Sequence, residues 1–265
     1  MEIENLSTDV CVIISHKHKF IFLHCRKTAG SSISVALAKY LGSRDIQLSA
    51  IKETFQAGQR PPLRMLVRGV VYGSSNELLN AALGKKDFLD AFSGSIKQSF
   101  IKKIGPKPQH AYAKEVCAAF PVEWKNYHKF CVVRNPFEKV VSDYYWMTVS
   151  LDNPPTFLEF LLALKAGNPW PGVIPLRPDN WPIYTINDNV VVDSVVRYEH
   201  LKRDLSDVFR KIGIPWDGAL PNAKGGMRPN NHNVHKSYRS MYTPKERGLV
   251  ESLFDKEITH FGYKF

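Results

Sequence analysis

At 265 residues, with 44% hydrophobic and 23% charged side chains, the chain can bury a full core, which excludes a disordered or fibrous polypeptide. Its 36 lysines and arginines against 25 carboxylates leave a net charge of +11. Such a charge attracts polyanions without saying whether they are nucleic acid, acidic polysaccharide or a phosphorylated nucleotide.

The N-terminus has no basic head followed by a long apolar stretch, and no window reaches ~18 uninterrupted apolar residues. A cytoplasmic protein without a membrane span is therefore expected. The apolar runs Val10–Ser15 and Phe20–Cys25, separated by His16-Lys17-His18-Lys19, suggest a hairpin, or a lead-in followed by one buried strand. After Cys25 comes Arg26-Lys27-Thr28-Ala29-Gly30-Ser31-Ser32, then a helical stretch from Ile33 to Leu41 that Gly42 is placed to stop. Cys25 and Cys131 fall inside apolar runs. With Cys11 and Cys117 they form neither a C-x-x-C pair nor a metal-ligand spacing, and they read as buried thiols in a reducing compartment.

A similar layout recurs about a hundred residues later. Phe130–Val133 reads as a buried strand, Asn135 as an N-cap, Pro136 as the first helical position, and Phe137 to about Thr148 as a helix. Phe137, Val140, Val141 and Tyr144 form its core stripe, and Ser142 falls well off it. A third apolar run, Val190–Val196, leads into a helix through about Ile212. Strands alternating with helices argue for an α/β fold, a parallel central sheet flanked by helices. Residues 44–108 and 153–183 show less periodicity and read as insertions or lids on a single domain spanning 1–265. A last amphipathic helix is expected from Pro244 to Thr259.

Both strand-to-helix turns carry groups that bind phosphate. At the first, the small residues Ala29, Gly30, Ser31 and Ser32 let backbone N–H groups approach an anion at a helix N-terminus. Lys27 adds a full charge, and Thr28, Ser31 and Ser32 add hydroxyls. The loop is not a Walker A motif, because its lysine precedes a single glycine. An ordinary capped helix after a strand has the same look. At the second turn, Arg134 can clamp a phosphate with its planar fork, and Ser142 lies about 10 Å further along the helix axis. Open α/β sheets bind ligands beyond the carboxyl ends of their strands, so a nucleotide carrying phosphates at both ends would suit the pair of turns.

The stretch from Phe20 to Ser32 resembles the 5′-phosphosulfate loop of sulfotransferases that use 3′-phosphoadenosine 5′-phosphosulfate (PAPS). The stretch Phe130 to Tyr145 is similar to their 3′-phosphate loop. Agreement is greatest with the carbohydrate-type branch and its soluble bacterial relatives. His110-Ala111-Tyr112-Ala113-Lys114-Glu115, Val196 to Leu201, and Tyr242 to Tyr263 match in order and spacing. The family usually has proline at the position of Arg26 and often arginine at that of Lys139.

The resemblance implies a P-loop-like sulfotransferase architecture with inserted acceptor-site segments. PAPS would be the sulfuryl donor, adenosine 3′,5′-bisphosphate the product, and no metal would take part. Lys27 would stabilise the leaving phosphate and His110 would act as general base. Arg26, Lys27, Thr28, Ala29, Gly30, Ser31 and Ser32 would hold the 5′-phosphosulfate, and Arg134 with Ser142 the 3′-phosphate. The segment Lys224–Arg239 is read as a cover over the nucleotide, with Lys236 as its contact. His232 and His235 form an H-x-x-H pair without a third ligand and are read as loop residues.

The resemblance implies a hydroxyl of a sugar or small molecule as the acceptor. Residues 44–108 hold 11 Lys/Arg against 5 Asp/Glu, which favours an acidic carbohydrate if they line the cleft, whereas Trp170 and Trp181 suit a small natural product, a sugar face or the core. Two other classes compete. A different nucleoside-phosphate transferase would need a Mg²⁺ ligand, for which Asp193 is the tempting carboxylate. A basic protein that binds acidic glycan or nucleic acid without catalysis would explain the charge but not the two loops. No specific nucleic-acid signature is present.

Overall fold

The computed structural model describes residues 12–72, 75–104, 111–167, 179–221 and 237–265. They fall into two compact units, divided after Val133 and again after Trp181.

The first unit, which holds residues 12–133 and 182–221 of those described, is built on a five-stranded sheet. Of the two alternatives for the runs flanking His16–Lys19, the hairpin holds: strands β1 (Val12–Ser15) and β2 (Phe20–Leu23) pair antiparallel. Helix α1 (Gly30–Ala38) follows β2, and β3 (Ile46–Gln47) adds antiparallel to the free side of β1. α1 starts and ends about three residues earlier than its periodicity suggests, and it stops before Gly42.

Residues 51–104 fold into α2 (Ile51–Gln56), α3 (Leu63–Val71), α4 (Ser75–Ala82), α5 (Phe88–Gln98) and α6 (Ile101–Ile104). The stretch that reads as an insertion is thus a helical subassembly. Gly69 of α3 lies so near α5 that a Cβ there would come within 2.6 Å of Ile96 and 3.1 Å of Phe92. Helices α7 (Ala113–Ala119) and α8 (Pro121–Asn126) lead into β4 (His128–Val133), which runs parallel to β2.

The second unit begins with α9 (Pro136–Thr148) and α10 (Phe157–Ala166). The short helix α11 (Trp181–Tyr184) spans the division between the units. In the first unit again, β5 (Thr185–Ile186) and β6 (Asn189–Val190) make a tight hairpin whose turn residues Asn187 and Asp188 both have positive φ, the backbone that two-residue hairpins require. β7 (Ser194–Arg197) lies parallel to β4, and α12 (Leu201–Lys211) follows it. The second unit closes with α13 (Pro244–Leu253) and α14 (Asp255–Phe261).

The sheet order is β3-β1-β2-β4-β7. The expected parallel sheet is therefore mixed: β2, β4 and β7 are parallel and β3 shares their direction, while β1, antiparallel to both of its neighbours, runs against them. A four-residue link cannot carry the crossover that parallel neighbours need. The run Val190–Val196 is also not one strand. Val190 pairs with Thr185, and Asp193 separates it from β7 by accepting hydrogen bonds from the Lys129 backbone (2.7 Å) and ammonium (2.8 Å).

Ile13, Phe20, Phe22, Phe130, Val132 and Val196 line the sheet face against Ile33 and Leu37 of α1 and Leu205, Val208 and Phe209 of α12. Phe22 and Phe130, partners in the parallel register, stack at 4.9 Å. Each such fully buried side chain contributes about 1.5–3 kcal/mol. In the second unit the expected stripe Phe137, Val140 and Val141 is buried with Phe157, Phe160, Leu161, Val250 and Phe254, and Tyr144 packs against them. The expected single helix over Pro244–Thr259 is broken at Phe254, whose φ of −121° and ψ of 24° leave the helical range.

Candidate active site

The turn after β2 departs most from ordinary backbone geometry. Lys27 and Ala29 have φ of 59° and 63°, a left-handed conformation that costs non-glycine residues on the order of 1–3 kcal/mol each. They bracket Thr28, which is fully buried and donates its hydroxyl proton to Cys25 O at 2.8 Å. α1 then starts at Gly30 with no side-chain cap and no acidic residue in its first turn. A chain that alternates hand just before a helix start turns successive N–H groups inward, an arrangement that receives anions.

A buried polar relay holds this turn. His24 stacks on Phe22 (5.8 Å) and its Nδ1 lies 2.7 Å from Ser49 Oγ. Ser34 Oγ lies 2.8 Å from both Ser49 Oγ and the Gly30 carbonyl. A Cβ on Gly30 would run into the His24 ring. The sequence reading passed over His24, Ser34 and Ser49, and only the proximity of His24 to the loop in the chain hinted at them. Gly30→Ala should therefore displace the turn and destabilise the protein by about 1–3 kcal/mol, as overpacking does. A thermal melt unchanged from wild type would refute this.

Arg26 is buried, 9% exposed, and Lys27, Ser31 and Ser32 are half-buried. Helix α1 thus presents small polar residues at its start, and the two adjacent cations precede it.

The second turn lies in the second unit. Asn135 caps α9 as expected: its Oδ1 accepts from Phe137 N at 3.1 Å, and Pro136 takes the first helical position. Arg134 is 7% exposed, and its guanidinium donates to Glu138 Oε1 at 2.7 Å, one helical turn along. That contact fixes the guanidinium's orientation. Ser142 is half-buried on α9. Lys139 is 1% exposed, pairs with Asp143 at 2.8 Å and lies 5.2 Å from the Phe254 ring centre, so it is part of this unit's interior. Trp181 is buried with its ring edge-on to His260 at 5.3 Å, a packing role.

His110, Lys236, Trp170, His232 and His235 lie outside the described residues. α7 begins three residues after His110, where Glu115 accepts from Tyr112 N at 2.8 Å. Asp193 does not suit a magnesium site. It sits beside Lys129 near the start of β4, at the opposite end of the strand from the turns, and hydrogen bonds from Lys129 hold its carboxyl below the ordinary range against the upward push of burial. Among the described residues, no group of three or more His, Cys, Asp and Glu can hold a metal. Among them, too, no helix is long and apolar enough to cross a membrane.

The mixed five-stranded sheet flanked by helices defines an α/β protein, and a strained turn and an uncapped helix follow its strand β2. The sequence profile of the Sulfotransferase family matches residues 11–264, and the chain belongs to that family. A protein of Archaeoglobus fulgidus, named only as uncharacterized, is 36% identical over 93 residues, 34% of this chain and 70% of that one. The chemistry is sulfuryl transfer.

Proposed function

We propose that the sulfuryl donor is PAPS and that the acceptor is a hydroxyl of an acidic sugar or similar small molecule. The observation that carries the donor reading is the left-handed pair Lys27 and Ala29 before an uncapped helix free of carboxylates in its first turn. The donor supplies an activated sulfuryl group on a 5′-phosphate that can leave. The N–H groups of residues 28–32 bind that phosphate, with Arg26 adding charge beside the loop. Lys27 stabilises the negative charge that grows on the leaving oxygen as the sulfur–oxygen bond breaks. His110 takes the acceptor's proton as the new bond forms. Arg134 and Ser142 hold the 3′-phosphate, and Lys236 closes over the nucleotide.

Charge bookkeeping in residues 44–108 supports an acidic acceptor. Lys52 is occupied by Asp87 and Asp90, and Lys86 by Glu77. Arg64 and Arg68 donate to backbone carbonyls, those of Arg44 (3.3 Å) and Ser99 (2.9 Å), and so keep their positive charge uncompensated.

Adenosine 3′,5′-bisphosphate at about 100 times its dissociation constant should stabilise the fold by about 2.7 kcal/mol through mass action. AMP at the same concentration should do much less. Equal thermal shifts from the two nucleotides would remove Arg134 and Ser142 from the donor site.

A further inference from the structure

We propose that Lys264 and Phe265 form a positioning clasp for the Arg134–Asn135 turn, and so set how well the protein distinguishes a nucleotide with a 3′-phosphate from one without. The proposal rests on the reading of Arg134 as a 3′-phosphate contact. Asn135 uses both ends of its amide. While its Oδ1 caps α9, its Nδ2 donates to the Lys264 carbonyl at 2.9 Å. One side chain therefore ties the start of the helix to a segment about 130 residues away in sequence.

That segment is itself held firmly. Gly262 (φ 65°) ends α14, and Tyr263 N bonds back to Ile258 O at 3.0 Å, which directs the following residues out of the helix. The Phe265 ring then meets Phe137 edge-on at 5.2 Å, two residues past Asn135. Tyr242 and Tyr238 flank the ring at 5.2 and 5.9 Å, and Arg247 and Arg239 lie 5.1 and 5.8 Å from its centre. Arg239 also donates to Phe265 O at 3.1 Å, and Tyr242 donates its hydroxyl proton to Phe137 O at 2.7 Å.

Offset and edge-on aromatic contacts have preferred geometries, so this nest resists sliding as well as separation. The guanidinium of Arg134 is fixed on one side by Glu138, and its backbone is fixed on the other by Asn135. Loosening Asn135 leaves the cation in place chemically but lets its fork wander. A bidentate contact with a phosphate depends on that fork's orientation.

Calorimetric titration of the protein with adenosine 3′,5′-bisphosphate, and separately with AMP, tests this in Phe265→Ala and Asn135→Ser. Serine retains an oxygen to cap α9 but has no amide to reach Lys264 O. Both variants should lose about tenfold in affinity for the bisphosphate, part of the worth of a charge-assisted hydrogen bond, and less than about twofold for AMP. Phe265→Tyr, which keeps the ring, should retain the wild-type ratio. Equal losses for the two nucleotides, or no loss in either variant, would overturn the clasp. A wild-type protein that binds both nucleotides equally would overturn the Arg134 assignment, and the clasp with it. If Phe265→Ala fails to fold, the ratio measured in Asn135→Ser decides the matter.

Discussion

Replacing Lys27 with alanine should lower kcat by about 10²–10³-fold while raising the donor KM only a few-fold, the pattern of a group whose contact strengthens in the transition state. The substitution removes charge without rebuilding the turn. Lys27 has φ 59°, and alanine already occupies the neighbouring left-handed position at Ala29, φ 63°. Thr28 continues to brace the loop through Cys25 O, and α1 still begins at Gly30. The thermal shift with adenosine 3′,5′-bisphosphate should therefore survive in Lys27→Ala, which separates a catalytic loss from a damaged loop. If turnover stays within a few-fold of wild type, another cation serves the leaving group. Arg26, adjacent and buried, is then the first to test.

Signals confined to a few neighbouring residues were readable before the structure. The hairpin around His16–Lys19, the Asn135-Pro136 helix start and the Phe137–Val141 stripe each depend on contacts within one turn or one strand pair. The place of β3 in the sheet was not readable, because it is two residues long and its pairing with β1 joins segments some thirty residues apart. Helices α3 to α5 escaped for a related reason. α3 is nine residues long and buries only Met65 and Gly69 while Leu63, Val67, Val70 and Val71 stay exposed, so its apolar residues do not mark a core-facing stripe. The break at Phe254 escaped as well: Phe254 is buried in the core of the second unit, and tertiary packing overrides the periodicity that would have run one helix through it.

In the site itself, residue types were legible and geometry was not. Lys27, Gly30 and the serines could be picked out as groups that suit an anion, yet nothing in the order of letters marks Lys27 and Ala29 as left-handed. That conformation is sustained by contacts distant in sequence, including the Ser49 hydroxyl that reaches both His24 and Ser34. Gly30 illustrates the point. A glycine at a helix start commonly signals close approach by a ligand, but here the atoms that forbid a Cβ belong to the buried His24 ring. The requirement for glycine is thus built into the support of the turn, and it would persist with no nucleotide bound.

His110→Ala should cost about 10²–10⁴-fold in kcat, or about 3–5 kcal/mol, the usual worth of a placed base, and should leave binding of adenosine 3′,5′-bisphosphate nearly unchanged. Among the residues that follow it in the chain, Ala111 and Ala113 are buried, and the Glu115 carboxylate accepts the Tyr112 N–H at the start of α7. A protonated imidazole cannot accept the acceptor's proton. Wild-type activity should therefore rise with pH through the range in which histidine loses its charge, and be fully present above it. In His110→Ala that acidic limb should disappear along with most of the rate. A folded variant that keeps both its rate and its acidic limb places the base on another residue. A variant that no longer folds, with a midpoint far below wild type by thermal melt, makes His110 a structural histidine. A variant that folds, binds the bisphosphate and turns over slowly at every pH leaves proton removal from the acceptor as the step His110 performs.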